Sequence, residues 1–151
     1  MSSRTAGSVA SVIEVGATAA ERVVGPVTRT DIVRYAGASG DFNPIHHDEE
    51  YARAAGYPGV FSVGMFQAGV LAGFAVDWLG AERLRGLQVR FKEQVWPGDV
   101  LTCRGRIASV EATETGRLVE VELTCLRQTG AAAIVGRATF ELAEGDGGAT
   151  S

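Results

Sequence analysis

Met65-Phe66-Gln67-Ala68-Gly69-Val70-Leu71-Ala72-Gly73-Phe74-Ala75-Val76-Asp77-Trp78-Leu79 is the longest helical candidate in the sequence, and Gly80 closes it as the residue just past its end. Phe66, Val70, Phe74 and Trp78 share one face, while Leu71, Ala75 and Leu79 line much of the rest. A helix apolar nearly all round must be surrounded by protein. Its small residues Ala68, Gly69, Ala72 and Gly73 predict that a sheet backbone comes close, with Gly69 and Gly73 as close-packing positions. The apolar run 60–79 carries Gln67, Asp77 and the glycines Gly64, Gly69 and Gly73, so it reads as a core helix rather than a membrane span.

C-terminal to this helix the chain alternates with period two. Leu87, Val89 and Phe91 oppose Gln88, Arg90 and Lys92; Leu101, Cys103, Gly105 and Ile107 oppose Thr102, Arg104 and Arg106; Val119, Val121, Leu123 and Cys125 oppose Glu120, Glu122 and Thr124. These are half-buried strands. Pro97-Gly98, Thr115-Gly116 and Thr129-Gly130 supply turns, the first in the order of a type II turn. The pattern predicts a meander of four antiparallel strands curled around the helix, an α+β architecture. Cys103 and Cys125 are in phase on these strands and read as small core residues, not nucleophiles.

N-terminal to the helix the chain is helical and rich in loops. A short strand is expected around 20–28. Thr28 then caps a helix with Asp31 three residues later, and Ile32, Tyr35 and Ala36 mark its buried face. Gly37 and Gly40 are expected to break it before the turn-forming run Ser39-Gly40-Asp41-Phe42-Asn43-Pro44. Asp48 can cap a second short helix over 49–55 that Gly56 ends, with Tyr57-Pro58-Gly59 as a further turn.

The sequence has 151 residues, which suits one domain with a real core. Residues 1–10 and 144–151 lack apolar periodicity and are expected to be disordered, leaving 11–143 as a single domain. A net charge of −4 argues against a nucleic-acid partner or a polybasic membrane anchor. Two cysteines without a CxxC pair fit a reducing compartment, and no secretory signal is apparent, so a cytoplasmic location is expected. The 20 glycines follow no repeat.

Both histidines of the chain fall in one polar loop, Ser39-Gly40-Asp41-Phe42-Asn43-Pro44-Ile45-His46-His47-Asp48. An Asp and a His on either side of an Asn-Pro turn can converge on one point, where an imidazole that titrates near neutrality and an orienting carboxylate polarise a water. Asn43 adds an amide donor and acceptor. Spacing alone leaves a purely structural Asx-turn reading open for Asp41 and His46, and solvation is the ordinary fate of His47. No metal site is expected: His46, His47 and Asp48 are chain neighbours whose side chains diverge, with no third histidine. Arg90 and Lys92 read as a solvated strand face, with attraction of a phosphate-bearing or acidic partner as the alternative.

Tyr35-Ala36-Gly37-Ala38-Ser39-Gly40-Asp41-Phe42-Asn43-Pro44-Ile45-His46-His47-Asp48-Glu49-Glu50-Tyr51-Ala52 closely resembles the signature of the MaoC-like dehydratases, the family of R-specific enoyl-CoA hydratases. Gly64-Met65, Arg90-Phe91 and Pro97-Gly98-Asp99 match in order, and the resemblance covers roughly residues 20–143. It implies the hot-dog fold, a long central helix wrapped by a curved antiparallel sheet, assembled as a homodimer or paired with a second hot-dog chain. It implies that Asp41 and His46 are the catalytic pair, activating a water that adds to C3 of a trans-2-enoyl thioester or leaves it in reverse. It further implies that the Gly64 N–H binds the thioester carbonyl, with Ser39, Asn43, Phe61, Val63 and Met65 on the substrate side. No cofactor is implied beyond the coenzyme A or acyl carrier protein that carries the substrate.

Many members have His-Gly-Met where this chain has Val63-Gly64-Met65, so the backbone donor is kept and the imidazole is not. The segment 61–66 and Asp77-Trp78-Leu79-Gly80 look like actinobacterial hydratase subunits that work in pairs, one with the catalytic loop and one degenerate. Since Asp41 and His46 are both present, the chain would be the active partner or a homodimer. Two other readings stay open: a degenerate subunit that binds acyl thioesters without turnover, and a hot-dog thioesterase, for which the central helix offers Asp77.

Overall fold

The period-two stretches become the long strands of one sheet, and the apolar helix lies across its concave face. The computed structural model describes residues 12–146, so the ends expected to fray at 1–10 and 147–151 lie outside the described residues. In chain order the elements are β1 (Arg22–Val24), α1 (Arg29–Ser39), α2 (Glu49–Ala54), α3 (Gly64–Leu79), β2 (Leu84–Phe91), β3 (Leu101–Thr113), β4 (Gly116–Arg127) and β5 (Ala132–Ala143). The sheet is antiparallel throughout, in the order β1-β3-β4-β5-β2. Of the expected tail 144–151, the described residues 144–146 form a turn in which Asp146 pairs with Arg83 and accepts the Ala143 N–H.

Strand order departs from a four-strand meander. β3, β4 and β5 are joined by tight turns, whereas β2 lies beyond β5 and the chain crosses to β3 through 92–100. A nine-residue connection is longer than hairpin loops, which run to about 2–5 residues, so Pro97-Gly98 turns a crossover rather than a hairpin. This crossover puts β3 beside β1, with Arg22 opposite Cys103 and Val24 opposite Leu101.

The core joins Leu71, Phe74, Ala75 and Leu79 of α3 to Cys103 and Ile107 of β3, Val121, Leu123 and Cys125 of β4, and Ile134 and Phe140 of β5. Cys103 faces Cys125 directly across the β3–β4 ladder, both free and fully buried. Close helix–sheet approach occurs as expected, but the sheet supplies the glycine: a Cβ at Gly105 would lie 2.9 Å from Trp78 and 3.1 Å from Phe74. Gly136 instead makes room for the neighbouring strand, since a Cβ there would lie 2.8 Å from the Gln88 carbonyl oxygen of β2. A Cβ at Gly69 or Gly73 would meet nothing within 4 Å among the described residues, which corrects the close-packing expectation. The rings of Phe74 and Trp78 fill the helix–sheet gap, so it is the sheet that must give up a side chain. Nor is α3 enclosed all round: Met65, Gly69 and Asp77 are exposed.

The loop-rich half obeys its caps. Thr28 and Asp31 form a reciprocal capping box, and Asp48 accepts the Tyr51 N–H to start α2. Such a cap is worth about 1 kcal/mol. α1 runs through Gly37, contrary to expectation, and stops at Gly40, whose φ of 75° is the left-handed conformation that ends a helix.

Candidate active site

Two nested turns deliver the Asp–His pair. After Gly40 ends α1, Ser39 Oγ accepts the Asp41 N–H at 3.3 Å. Asp41 Oδ1 accepts the Asn43 N–H at 3.2 Å, and Asn43 Oδ1 accepts the Ile45 N–H at 3.1 Å. The second bond caps a single 3-10 turn, Pro44–His46, with Pro44 preset for its first position. One oxygen of Asp41 is thus spent on the backbone and Oδ2 is left over. Glu49 braces the loop from behind, pairing with Arg29 of α1 and with Arg53. The hydrogen bond from Arg29 holds the Glu49 carboxyl below its ordinary value of 4.5.

The 3-10 turn swings His46 inward, to 8% exposure, while His47 stays in solvent. His46 Nδ1 lies 2.7 Å from the carbonyl oxygen of Phe61. A carbonyl can only accept, so in this arrangement Nδ1 carries the hydrogen and Nε2 of the neutral ring presents its lone pair. That Nε2 faces Asp41 Oδ2 across 3.9 Å. The Phe61 ring packs edge-on to the imidazole, with centroids 5.2 Å apart, and is itself packed by Tyr57 and Trp96.

Phe61 begins an extended segment that runs into α3 three residues later. Ser62 N–H donates to Val95 O at 2.8 Å, and Ser62 Oγ bonds Gln67 Oε1 at 2.8 Å inside the protein. Val63 takes the N-cap position and is buried, but offers no side-chain acceptor to the first turn of α3. The amide end of α3 therefore begins within about 10 Å of chain from the carbonyl that holds His46. Gly64 sits close against β2: a Cβ there would stand 3.0 Å from Cε1 of Phe91, so that ring would have to give. Met65 beside it is 55% exposed and Phe91 50%.

Of the residues singled out from sequence, Asp41, His46 and Phe61 meet at one point. Ser39 and Asn43 are exposed and shape the turn beneath Asp41. The orienting role of the Phe61 carbonyl was missed from sequence, because no side-chain pattern encodes it. Also missed were the buried Ser62–Gln67 pair, whose one signal is a polar residue in an apolar run, and the burial of Asp99, noted as part of Pro-Gly-Asp alone. Asp99 is 3% exposed and accepts from Arg127 Nε at 2.7 Å, Gln128 Nε2 at 2.7 Å and the Trp96 N–H at 2.9 Å. Burial alone would raise its carboxyl, but the bonds from Arg127, the Trp96 amide and Gln128 outweigh it and hold it below the ordinary 3.8.

A half-buried carboxylate and a buried imidazole thus face each other across a water-sized gap on a hot-dog fold, and the uncapped amide end of a helix begins three residues along the chain from the carbonyl that holds the imidazole. Residues 11–129 match the MaoC like domain, and the chain belongs to that family of hydratases and dehydratases. Relatives include the fatty acid synthase subunit beta of Aspergillus oryzae, 39% identical over 93 residues, and the enoyl-CoA hydratase ChsH3 of Mycobacterium tuberculosis, 38% identical over 66 residues. These alignments take in 59% and 42% of this chain but span 4% and 23% of those proteins. In fold the chain is similar to one in the ChsH1–ChsH2 complex of Mycobacterium tuberculosis, with a TM-score of 0.76 over 87% of this chain and 99% of that one, at 23% identity. Among the described residues no helix is long and apolar enough to cross a membrane.

Proposed function

We propose that this protein hydrates trans-2-enoyl thioesters to the R-3-hydroxyacyl thioesters, or runs the reverse dehydration, with Asp41 and His46 activating the water. The observation that carries the reading is the imidazole bonded through Nδ1 to Phe61 O, with Nε2 opposite Asp41 Oδ2 at 3.9 Å. A water held between them loses a proton to the pair as its oxygen bonds C3. Charge then moves through C2 to the thioester oxygen, where the Gly64 N–H and the α3 dipole stabilise it. Return of a proton from the pair to C2 completes the addition of one water. The two groups titrate as a unit, so the acid and base roles belong to the dyad.

The carrier is coenzyme A or an acyl carrier protein, and the chemistry needs no metal or organic cofactor. A second copy of this chain or another hot-dog chain covers the open side of α3, where Met65 is exposed and Gly69 and Gly73 face free space within the chain. Thioester hydrolysis is disfavoured. Asp77, the carboxylate on α3, is bonded by Arg22 at 2.8 Å and lies 13 residues from Gly64, about 20 Å along the helix.

The deciding assay follows the conjugated enoyl absorbance when the purified protein meets a series of trans-2-enoyl-CoA substrates. Loss of absorbance without thiol release supports hydration. Release of free thiol would mean hydrolysis. Turnover that appears only with a second hot-dog chain would mean a paired enzyme, and silence of every combination would overturn the assignment.

A further inference from the structure

We infer that Asp99 is a positioning residue for His46, anchoring through the 92–100 crossover the carbonyl shelf that selects the imidazole tautomer. The inference rests on the proposed role of His46 as a base. The imidazole is held by one hydrogen bond, from His46 Nδ1 to Phe61 O at 2.7 Å. Phe61 lies outside helix and strand, so nothing in its own segment fixes the direction of its carbonyl. Two links tie that segment to the crossover. The Ser62 N–H donates to Val95 O at 2.8 Å, and the ring of Trp96 packs edge-on to that of Phe61 with centroids 5.5 Å apart.

Asp99 joins both links to the sheet. Its Oδ2 accepts the Trp96 N–H at 2.9 Å and Arg127 Nε–H at 2.7 Å, and its Oδ1 accepts Gln128 Nε2–H at 2.7 Å. Arg127 and Gln128 stand at the end of β4 and just beyond it, and Arg127 is steadied by Glu93 at 3.0 Å. The crossover is thereby clamped to the most extensively paired part of the sheet. Val95, whose carbonyl receives the Ser62 amide, is fully buried.

The clamp bears on the chemistry through the imidazole. With Phe61 O in place, Nδ1 must donate and Nε2 is a free acceptor. Should the carbonyl drift, nothing holds the hydrogen on Nδ1, and a ring protonated on Nε2 would donate toward Asp41 Oδ2. The lone pair that takes the water proton is then gone. Asp99 thus acts at a distance, through a carbonyl, on which ring nitrogen is a base.

The test reads the tautomer directly. The chain has two histidines, so His47→Gln leaves His46 as the single imidazole for nitrogen-15 NMR. In that background His46 is expected with Nδ1 protonated and Nε2 bare at neutral pH. Asp99→Asn is expected to move it toward a mixture with Nε2–H and to lower kcat about 10- to 100-fold, with a smaller change in KM. Gln128→Ala, which removes one bond to Asp99 from a residue on the surface, is expected to move both readouts the same way and less, and it decides the matter if Asp99→Asn does not fold. A His46 that keeps its Nδ1–H signature in every folded variant overturns the inference, whatever happens to stability. A tautomer that shifts in a protein without hydratase activity would instead leave the positioning intact and overturn the proposed reaction.

Discussion

Asp41 Oδ2 and His46 Nε2 face each other across 3.9 Å, too far for a direct hydrogen bond and close enough for one water oxygen to touch both. Each group is held by its other polar atom, Asp41 by the Asn43 amide and His46 by the Phe61 carbonyl, so the two face each other in the chain as it stands. Asp41→Asn and His46→Ala are each expected to lower kcat by about 10²–10⁴, the usual worth of general acid–base catalysis. The double variant should lose little more than either single one, because the two act as a unit. His47→Ala, in solvent, should leave turnover within error. Steady-state hydration of a short enoyl-CoA checks all four.

Gly64 and Phe91 separate space from hydrogen bonding at the proposed oxyanion donor. Alanine at Gly64 keeps the N–H but presses a Cβ to 3.0 Å from the Phe91 ring, which is half exposed and can yield. Proline is well suited to the first position of a helix, where α3 begins, and removes the N–H. In a Phe91→Ala background, Gly64→Ala should therefore be close to neutral in urea unfolding. Gly64→Pro in the same background should also fold yet lose about 10²–10³ in kcat, as expected for one missing oxyanion donor. Full activity in the folded proline variant would remove Gly64 from the mechanism.

Gly69 and Gly73 lie inside α3, and among the described residues a Cβ at either would meet nothing within 4 Å. Alanine there gains helix propensity, about 1 kcal/mol per site at most, and should raise the stability of an isolated chain. If a second chain packs against this side, the added methyl groups sit in its path. The expected outcome for the double Gly69→Ala, Gly73→Ala variant is a weaker dimer in sedimentation at low micromolar concentration. A thermal midpoint that varies less steeply with protein concentration than that of the parent chain would accompany it.

The parts of this molecule that were legible in the sequence are those encoded by neighbours along the chain. The capping box at Thr28 and Asp31, the cap at Asp48, the stop at Gly80 and the inward residues Cys103, Ile107, Val121 and Leu123 all come from short spacings. The turn that presents Asp41 and His46 was equally local. Strand order was not, since Pro97-Gly98 reads alike whether it turns a hairpin or a crossover. The glycines are legible on the wrong partner: Gly105 of the sheet makes room for the helix and Gly136 for the neighbouring strand, while a Cβ at Gly69 or Gly73 of the helix would meet nothing within 4 Å among the described residues. What orients His46 is a main-chain oxygen, and a carbonyl leaves no trace in residue type. The Ser62–Gln67 pair and the Asp99–Arg127 clamp are long-range polar contacts that become visible when the chain is folded.

The Asp99 clamp also predicts how the protein fails in acid. Its carboxyl is held below the ordinary 3.8 chiefly by Arg127, against the opposing effect of burial. A carboxylate whose folded value lies below its unfolded one contributes stability that is present in full above about pH 4 and is lost as pH falls through the lower folded value. Arg127 is held charged more firmly in turn by the same pair. Asp99→Ala at pH 7 leaves that guanidinium facing an empty buried site. The cost should be up to about 3 kcal/mol, at the low end for a buried pair because Arg127 keeps 16% exposure and a second partner in Glu93. Urea unfolding of the parent chain and of Asp99→Ala, compared from pH 7 to pH 2.5, should show a gap that is constant down to about pH 4 and narrows below it. A gap that does not narrow in acid would mean that Asp99 contributes through packing rather than through its charge.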